Sequence, residues 1–316
     1  MSYVGVDVGG TTVIAATLTD GELSESLIEP TRKERGDGLV EQIASVVETQ
    51  RDGDTRAVGV GIPSAVDFAT GTAKSGVNVP LQGVPLRNIL TQRLGLPVFV
   101  DNDANVAALA EAHQDGSLTT RNLVMFTVGT GVGGGLVLDG RLYRGTTGAG
   151  AEMGHILIGL DLTDGAPAPA PSFPQPGSLE ALASGTALDH LAQEAARAHP
   201  DGGLGRAAAE SGRVTGVDVV RLAQEGDEES IGLLRVLGER LGIGIASAIN
   251  LFDPEEVVVG GGVATAGDLL LEPARRAAAG YVLTGVGERT TIRLARHGVR
   301  AGVYGAALLA VQELVR

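Results

Sequence analysis

Tyr3-Val4-Gly5-Val6-Asp7-Val8-Gly9-Gly10-Thr11-Thr12 is a strand-like run that ends near an acid and turns through two glycines. Further Val- and Ile-rich segments recur near residues 3–8, 12–19, 57–62, 97–100, 122–128, 133–138 and 256–259, with helical spacing between them, as in Val40, Ile43, Val46 and Val47. This alternation predicts an α/β protein. The first turn joins strand to strand, as does Thr127-Val128-Gly129-Thr130-Gly131-Val132-Gly133-Gly134-Gly135, and the echo suggests two similar halves. The first boundary is expected near 116, in the polar Gln114-Asp115-Gly116-Ser117. Residues 1–116 then form a small α/β lobe and 117–301 a large one, with a helix over 302–316 returning to the first.

A long buried helix is expected from about 227 to 251, because Leu234, Leu237, Leu241, Ile245 and Ala248 share one face. Gly242 and Gly244 weaken its intrinsic propensity but allow close backbone packing. Five prolines between 165 and 177 (Pro167, Pro169, Pro171, Pro174 and Pro176) predict a surface loop of polyproline character.

Composition excludes several functions. A net charge of -14 offers no broad basic surface for a phosphate backbone, so nucleic acid is not an expected partner. The only lysines, Lys33 and Lys74, follow no glycine, which excludes a Gly-Lys-Ser/Thr phosphate loop. With no cysteine there is neither disulfide nor thiolate site. The first residues lack the pattern of a signal peptide, and no apolar run reaches membrane-spanning length. A soluble cytoplasmic protein with no membrane partner is the expectation.

Chemistry concentrates in five places. The Asp7 turn presents backbone N–H groups and the Thr11 and Thr12 hydroxyls to a phosphate, or is simply a hairpin. The second turn adds Thr130 among five glycines, and a third glycine run, Gly260-Gly261-Gly262, follows Val257-Val258-Val259. None of the three gives a Gly-x-Gly-x-x-Gly turn from strand to helix with the suitably placed acid of a dinucleotide fold. Pro97-Val98-Phe99-Val100 runs into Asp101-Asn102-Asp103-Ala104-Asn105 and an alanine-rich helix. Asp101 or Asn102 would cap that helix, with Asp103 in its first turn, and the cluster serves either capping or catalysis. Finally, Gly148-Ala149-Gly150-Ala151-Glu152-Met153-Gly154-His155 places an acid and a histidine three apart, and Glu180 follows Gly177-Ser178-Leu179.

These residues resemble, over nearly the whole chain, the ROK family of bacterial sugar kinases and repressors, and its glucokinases most of all. The resemblance implies an actin-like, hexokinase-type (ribonuclease H-like) two-lobed α/β fold with a central cleft, and ATP-dependent phosphorylation of a hexose, glucose first. Asp7-Val8-Gly9-Gly10-Thr11 is similar to the family's first phosphate loop, Gly129-Thr130-Gly131-Val132-Gly133-Gly134-Gly135 to its second, and Gly260-Gly261-Gly262 to its adenosine-side turn. By the same resemblance Asp103 is the general base, and Asn78, Asn102, Glu152, His155 and Glu180 bind sugar hydroxyls. Asp7 holds magnesium, through water.

The departures are specific. The family's zinc sits on a histidine and three cysteines, whereas the matching positions here are His155, Pro171, Phe173 and Ser178. One histidine cannot close a tetrahedral site, so no structural zinc is expected. Thr12 stands where many relatives have lysine, and Ser64 where they often have glycine. N-acetylmannosamine, fructose, mannose or allose remain alternative substrates, and polyphosphate an alternative donor. A non-catalytic sugar-binding regulator is the rival reading, although the family's repressors carry an added N-terminal DNA-binding region and the first strand here starts at Tyr3. Relatives are commonly dimers or tetramers, which implies a homodimer or homotetramer.

Overall fold

The structure is a computed structural model that describes residues 1–33, 37–75 and 79–315. It divides into two compact units: Met1–Leu123 with Gly135–Ala151 and Arg296–Arg316, and Val124–Gly134 with Glu152–Ala295. The first unit thus continues to Leu123, beyond the boundary expected near 116, and also takes in a segment around residue 140.

The first unit is built on a six-stranded sheet. Its strands are β1 (Ser2–Val8), β2 (Thr12–Thr19), β3 (Glu22–Leu23), β4 (Leu27–Pro30), β5 (Thr55–Ile62) and β6 (Val98–Asn102). They run in the order β3–β2–β1–β5–β6, with β4 pairing the start of β2. β1 and β2 form an antiparallel hairpin in which Val8 meets Val13, whereas β5 lies parallel to both β1 and β6. Val58, Val60 and Ile62 line one face of β5 and Ala57, Gly59 and Gly61 the other, and all six are buried, as suits a strand covered on both faces. One cover is the helix Gly38–Gln50, whose Leu39, Ile43, Val46 and Val47 are fully buried, including three of the four residues whose spacing predicted it.

The C-terminal helix Ala301–Leu314 also belongs to the first unit, and glycine lets it come unusually close. A Cβ on Gly5 would lie 2.1 Å from the Val303 carbonyl oxygen, and one on Gly59 would lie 1.7 Å from that of Ala306. Gly305 of the helix itself meets the Val106 carbonyl in the same way, at 1.7 Å. The backbones therefore touch at three points where no side chain fits.

The second sheet contains β7 (Leu123–Val128), β8 (Val132–Leu138), β9 (Arg141–Leu142), β10 (Glu256–Gly260) and β11 (Thr291–Leu294), in the order β9–β8–β7–β10–β11. The long helix in the second unit spans Glu228–Phe252, and Leu234, Leu237, Leu241, Ile245 and Ala248 are all buried. Gly242 does admit a close neighbour: a Cβ there would stand 2.5 Å from the Ala274 carbonyl oxygen. Gly238, one turn earlier, does the same against Leu270 at 2.4 Å, so the helix Asp268–Tyr281 packs along a stripe with glycines four apart. The proline-rich stretch contains neither helix nor strand. No helix among the described residues is long and apolar enough to cross a membrane.

Candidate active site

The turn after β1 is short because Gly9 donates its N–H to the Thr12 carbonyl at 2.8 Å, while Thr12 itself already belongs to β2. Thr31, a residue that carries no motif, straps this turn. Its Oγ1 donates to the Gly9 carbonyl at 2.7 Å, and its N–H to the Thr11 carbonyl at 2.9 Å. Gly10 and Thr11 are left facing outward, with Thr11 exposed.

At the end of β1, Asp7 lies opposite Gly61 in the parallel register. Gly302 gives its carboxyl room, since a Cβ there would fall 2.2 Å from Asp7 Oδ2. A Cβ on Gly61 would be 3.7 Å from Asp7 Oδ1 and 3.8 Å from the Cα of Asp103, so this glycine lies beside both acids. Burial, and after it the charge of Asp103, pushes the Asp7 carboxyl up from 3.8 to about 7.

β6 extends two residues past the apolar run and delivers Asp101 and Asn102 in extended backbone. Asn102 is the helix cap: its Oδ1 accepts from the N–H groups of Ala104 at 2.9 Å and Asn105 at 3.2 Å. Its Nδ2 faces the Ser64 carbonyl at 3.4 Å. Asp103 is the first residue of the helix Asp103–Glu111, and its Oδ1 accepts from the Ala104 N–H at 2.8 Å. Its carboxylate therefore stands at the positive end of a helix. Asp101 is no cap but a buried ion-pair partner. Asn78 lies outside the described residues.

In the second unit, only Gly129, Thr130 and Gly131 form the turn; Gly133 is already in β8. The glycine at 131 is explained by Glu180, whose Oε2 would lie 2.3 Å from a Cβ there. That same oxygen accepts the N–H of Val132 at 2.8 Å. The Val132 carbonyl meets Gly154, where a Cβ would approach to 2.1 Å. One peptide position thus gathers Glu180 and the short helix Met153–His155, preceded by Glu152, onto the second glycine turn. Glu152 and His155 are both exposed.

His155 contacts Phe173 edge-on, with ring centroids 5.4 Å apart. Ser178 Oγ caps the helix Leu179–Ala183 by accepting the Ala181 N–H at 3.2 Å. The neck of the proline-rich loop is closed by the Gly177 carbonyl, which accepts from Ile158 at 2.8 Å and Gly159 at 3.1 Å.

The third glycine run joins the second turn through Gly261, which has a φ of 90° and would place a Cβ 2.4 Å from the Val128 carbonyl oxygen. Beside them is a cavity of about 670 Å³, lined by Gly129, Thr130 and Gly262 together with Gly185, Thr186, Thr215–Val217, Val220 and Val263 among others. The N-terminus of the helix Gly185–Ala198 faces the turn, with Gly185 N–H donating to the Gly129 carbonyl at 2.7 Å and Thr186 Oγ1 to that of Thr130 at 2.8 Å. Sequence reasoning missed Thr186, Thr215 and Val217, since helical segments with no distinctive motif supply them. The volume and largely apolar wall suit a purine nucleoside.

Asp7 has a consequence for pH. Its folded pKa lies above the unfolded value, so its favourable contribution is complete below about pH 4 and is lost as pH rises through about 7. Asp7→Asn removes that loss. The variant should gain about 2–3 kcal/mol on wild type between pH 5 and pH 8, read from denaturant midpoints at the two values. An equal difference at both would refute it.

A family model described as the ROK family matches residues 3–313. A glucokinase of Halalkalibacterium halodurans is 35% identical, over 98% of this chain and 95% of that protein. Among solved structures, the ROK hexokinase of Thermus thermophilus matches with a TM-score of 0.78 and 36% identity, covering 100% of this chain and 99% of that one. The ROK family glucokinase of Streptomyces griseus, solved with glucose and AMPPNP, also has a TM-score of 0.78, at 32% identity, covering 99% of this chain and 100% of that one. The expected actin-like α/β class is thus met, and on the match across nearly its whole length the chain belongs to the ROK family.

Proposed function

We propose that this protein transfers the terminal phosphoryl group of ATP to a hexose, glucose first, with Asp103 as the base. The observation that carries the reading is Asp103 at a helix N-terminus beside a second acid, Asp7, at the end of β1. A glycine-turn cavity of nucleoside size in the second unit supports ATP as donor.

Asp103 orients the primary hydroxyl and accepts its proton. An acid at this end of a helix is a weak base, but in a loose phosphoryl transfer the proton leaves late and positioning dominates. Asn102 spends Oδ1 on the helix and one Nδ2 hydrogen on the Ser64 carbonyl, which leaves its second Nδ2 hydrogen for a sugar hydroxyl. Glu180 spends Oε2 on Val132, so Oε1 is its sugar-facing atom. Glu152 and His155 complete this set, with Asn78 added by its place in the sequence.

The phosphates follow Gly9, Gly10, Thr11 and Thr12 in the first unit and Thr130, Gly131 and Gly133 in the second, with the adenosine toward Gly260–Gly262. Among the described residues no cluster of three or more His, Asp or Glu side chains could cage a metal. Two acids that repel each other do suit a hydrated divalent ion brought in by the nucleotide. Magnesium, when bound, would neutralise charge on the terminal phosphates, and Asp7 would hold one of its waters. Of the four residues at the zinc positions, Ser178 caps a helix and His155 packs on Phe173, which supports a loop that stands without zinc.

The test is ADP release with glucose, N-acetylmannosamine, fructose, mannose and allose, each with ATP or polyphosphate and magnesium, with and without a zinc-selective chelator. Turnover should be highest with glucose and ATP and indifferent to the chelator. Glucose binding without any sugar-dependent release would make the protein a sugar-binding regulator.

A further inference from the structure

Beneath the turn that carries Asp103 lies a buried set of charges that touches neither substrate in the proposed reaction. Asp101, with its side chain 2% exposed, accepts the Asn102 N–H and Asn105 Nδ2 on Oδ1, each at 2.8 Å. Its Oδ2 receives Arg144 Nε at 2.5 Å. A terminal nitrogen of Arg144 donates to Glu313 Oε1 at 2.9 Å, and these two side chains are 9% and 3% exposed. The Phe68 ring covers the guanidinium at 3.7 Å. Arg144 comes from the segment after β9, and Glu313 from the last turn of the C-terminal helix.

Charges this deep persist only when paired and hydrogen-bonded, so the three side chains hold each other in one arrangement. That arrangement bears on Asp103 through the backbone. Asp103 is the first residue of its helix, and the direction of its carboxylate follows from the peptide at 101–102 and the first helical turn. Asp101 pins both, the first through the Asn102 N–H and the second through Asn105.

We propose that Arg144 and Glu313 are positioning residues for Asp103. Arg144 fixes Asp101, Glu313 fixes Arg144, and the end of the chain thereby sets the aim of the acid. The proposal rests on the reading of Asp103 as base. A misplacement of about 1 Å in a reacting group can cost about 100-fold in rate, so a loosened turn lowers turnover without touching either substrate.

Arg144→Lys keeps the charge but loses the fork that joins two carboxylates. Glu313→Gln keeps the shape and removes one charge. Expected for Arg144→Lys is a fall in kcat of about 10- to 100-fold, with KM for glucose and for ATP within about twofold of wild type. A several-fold fall is expected for Glu313→Gln, and both should be measured on protein that melts cooperatively. Adding Arg144→Lys to Asp103→Ala should cost nothing further, because the group it aims is gone.

If wild-type protein transfers no phosphoryl group, or Asp103→Ala retains turnover, the reading of Asp103 fails. If Asp103 is essential and both folded variants keep wild-type kcat, the positioning proposal alone is overturned. Losses that merely track the folded fraction, or failure of both variants to fold, assign the triad to stability and overturn it too.

Discussion

Asp103→Ala should bind glucose and still fail to phosphorylate it, with kcat lower by about 10²- to 10⁴-fold. The fold should survive, because Asn102, not Asp103, caps the helix with two hydrogen bonds. Loss of the carboxylate at the helix N-terminus costs only about 0.3–1 kcal/mol. Against that, the charge that helps to raise the Asp7 carboxyl disappears, which favours the folded state at neutral pH. Because the chain has no tryptophan, calorimetry is the suitable measure of sugar binding, alongside coupled ADP release. Near-normal turnover would remove Asp103 from the chemistry, whereas loss of both binding and turnover in folded protein would make it mainly a sugar ligand.

The same substitution, glycine to alanine, should have opposite effects at two helical positions. At Gly305 the new Cβ would fall 1.7 Å from the Val106 carbonyl oxygen, in the helix that Asp103 begins. Alanine gains about 1 kcal/mol of intrinsic helix preference over glycine, but two backbones must separate to admit it. We expect Gly305→Ala to cost more than about 4 kcal/mol and to leave little native protein. Gly59→Ala, 1.7 Å from the Ala306 carbonyl oxygen, should behave alike. Gly232, within the helix Glu228–Phe252, would place its Cβ in open space, so Gly232→Ala should stabilise by about 0.5–1 kcal/mol. Thermal and denaturant melting of the three variants decides the matter. Equal small effects at all three sites would show that the C-terminal helix can shift away from the sheet at little cost.

Legibility in the sequence differed by element. Strands and the long helix were readable because Val and Ile runs and the spacing of Leu234, Leu237 and Leu241 report burial directly. The acid at 103 was readable as a first-turn residue because capping is local, needing only Asn102 and the three residues after it. Asp101 was not, for its ion-pair partner Arg144 is 43 positions away, and the Glu313 that holds Arg144 in turn is 212 positions away. Gly242 was correctly read as a place of close packing, but Gly238 passed unnoticed in an otherwise ordinary apolar helix. Glu180 was expected to face a sugar, and nothing near it in the chain indicates that half of its carboxylate is engaged by Val132.

What the sequence determined by itself was the α/β class, the three glycine turns after three strands, the family, and an acid at the head of a helix. Each depends on a short pattern, a period of two or 3.6 residues or the few atoms of a turn. Only the tertiary structure decided that Val132 gathers Glu180 and the Glu152–His155 turn, that helices after residue 185 wall a nucleoside-sized cavity, and that Asp101 is buried on Arg144. These are meetings of segments far apart in the chain, where the position of each atom depends on how whole elements pack.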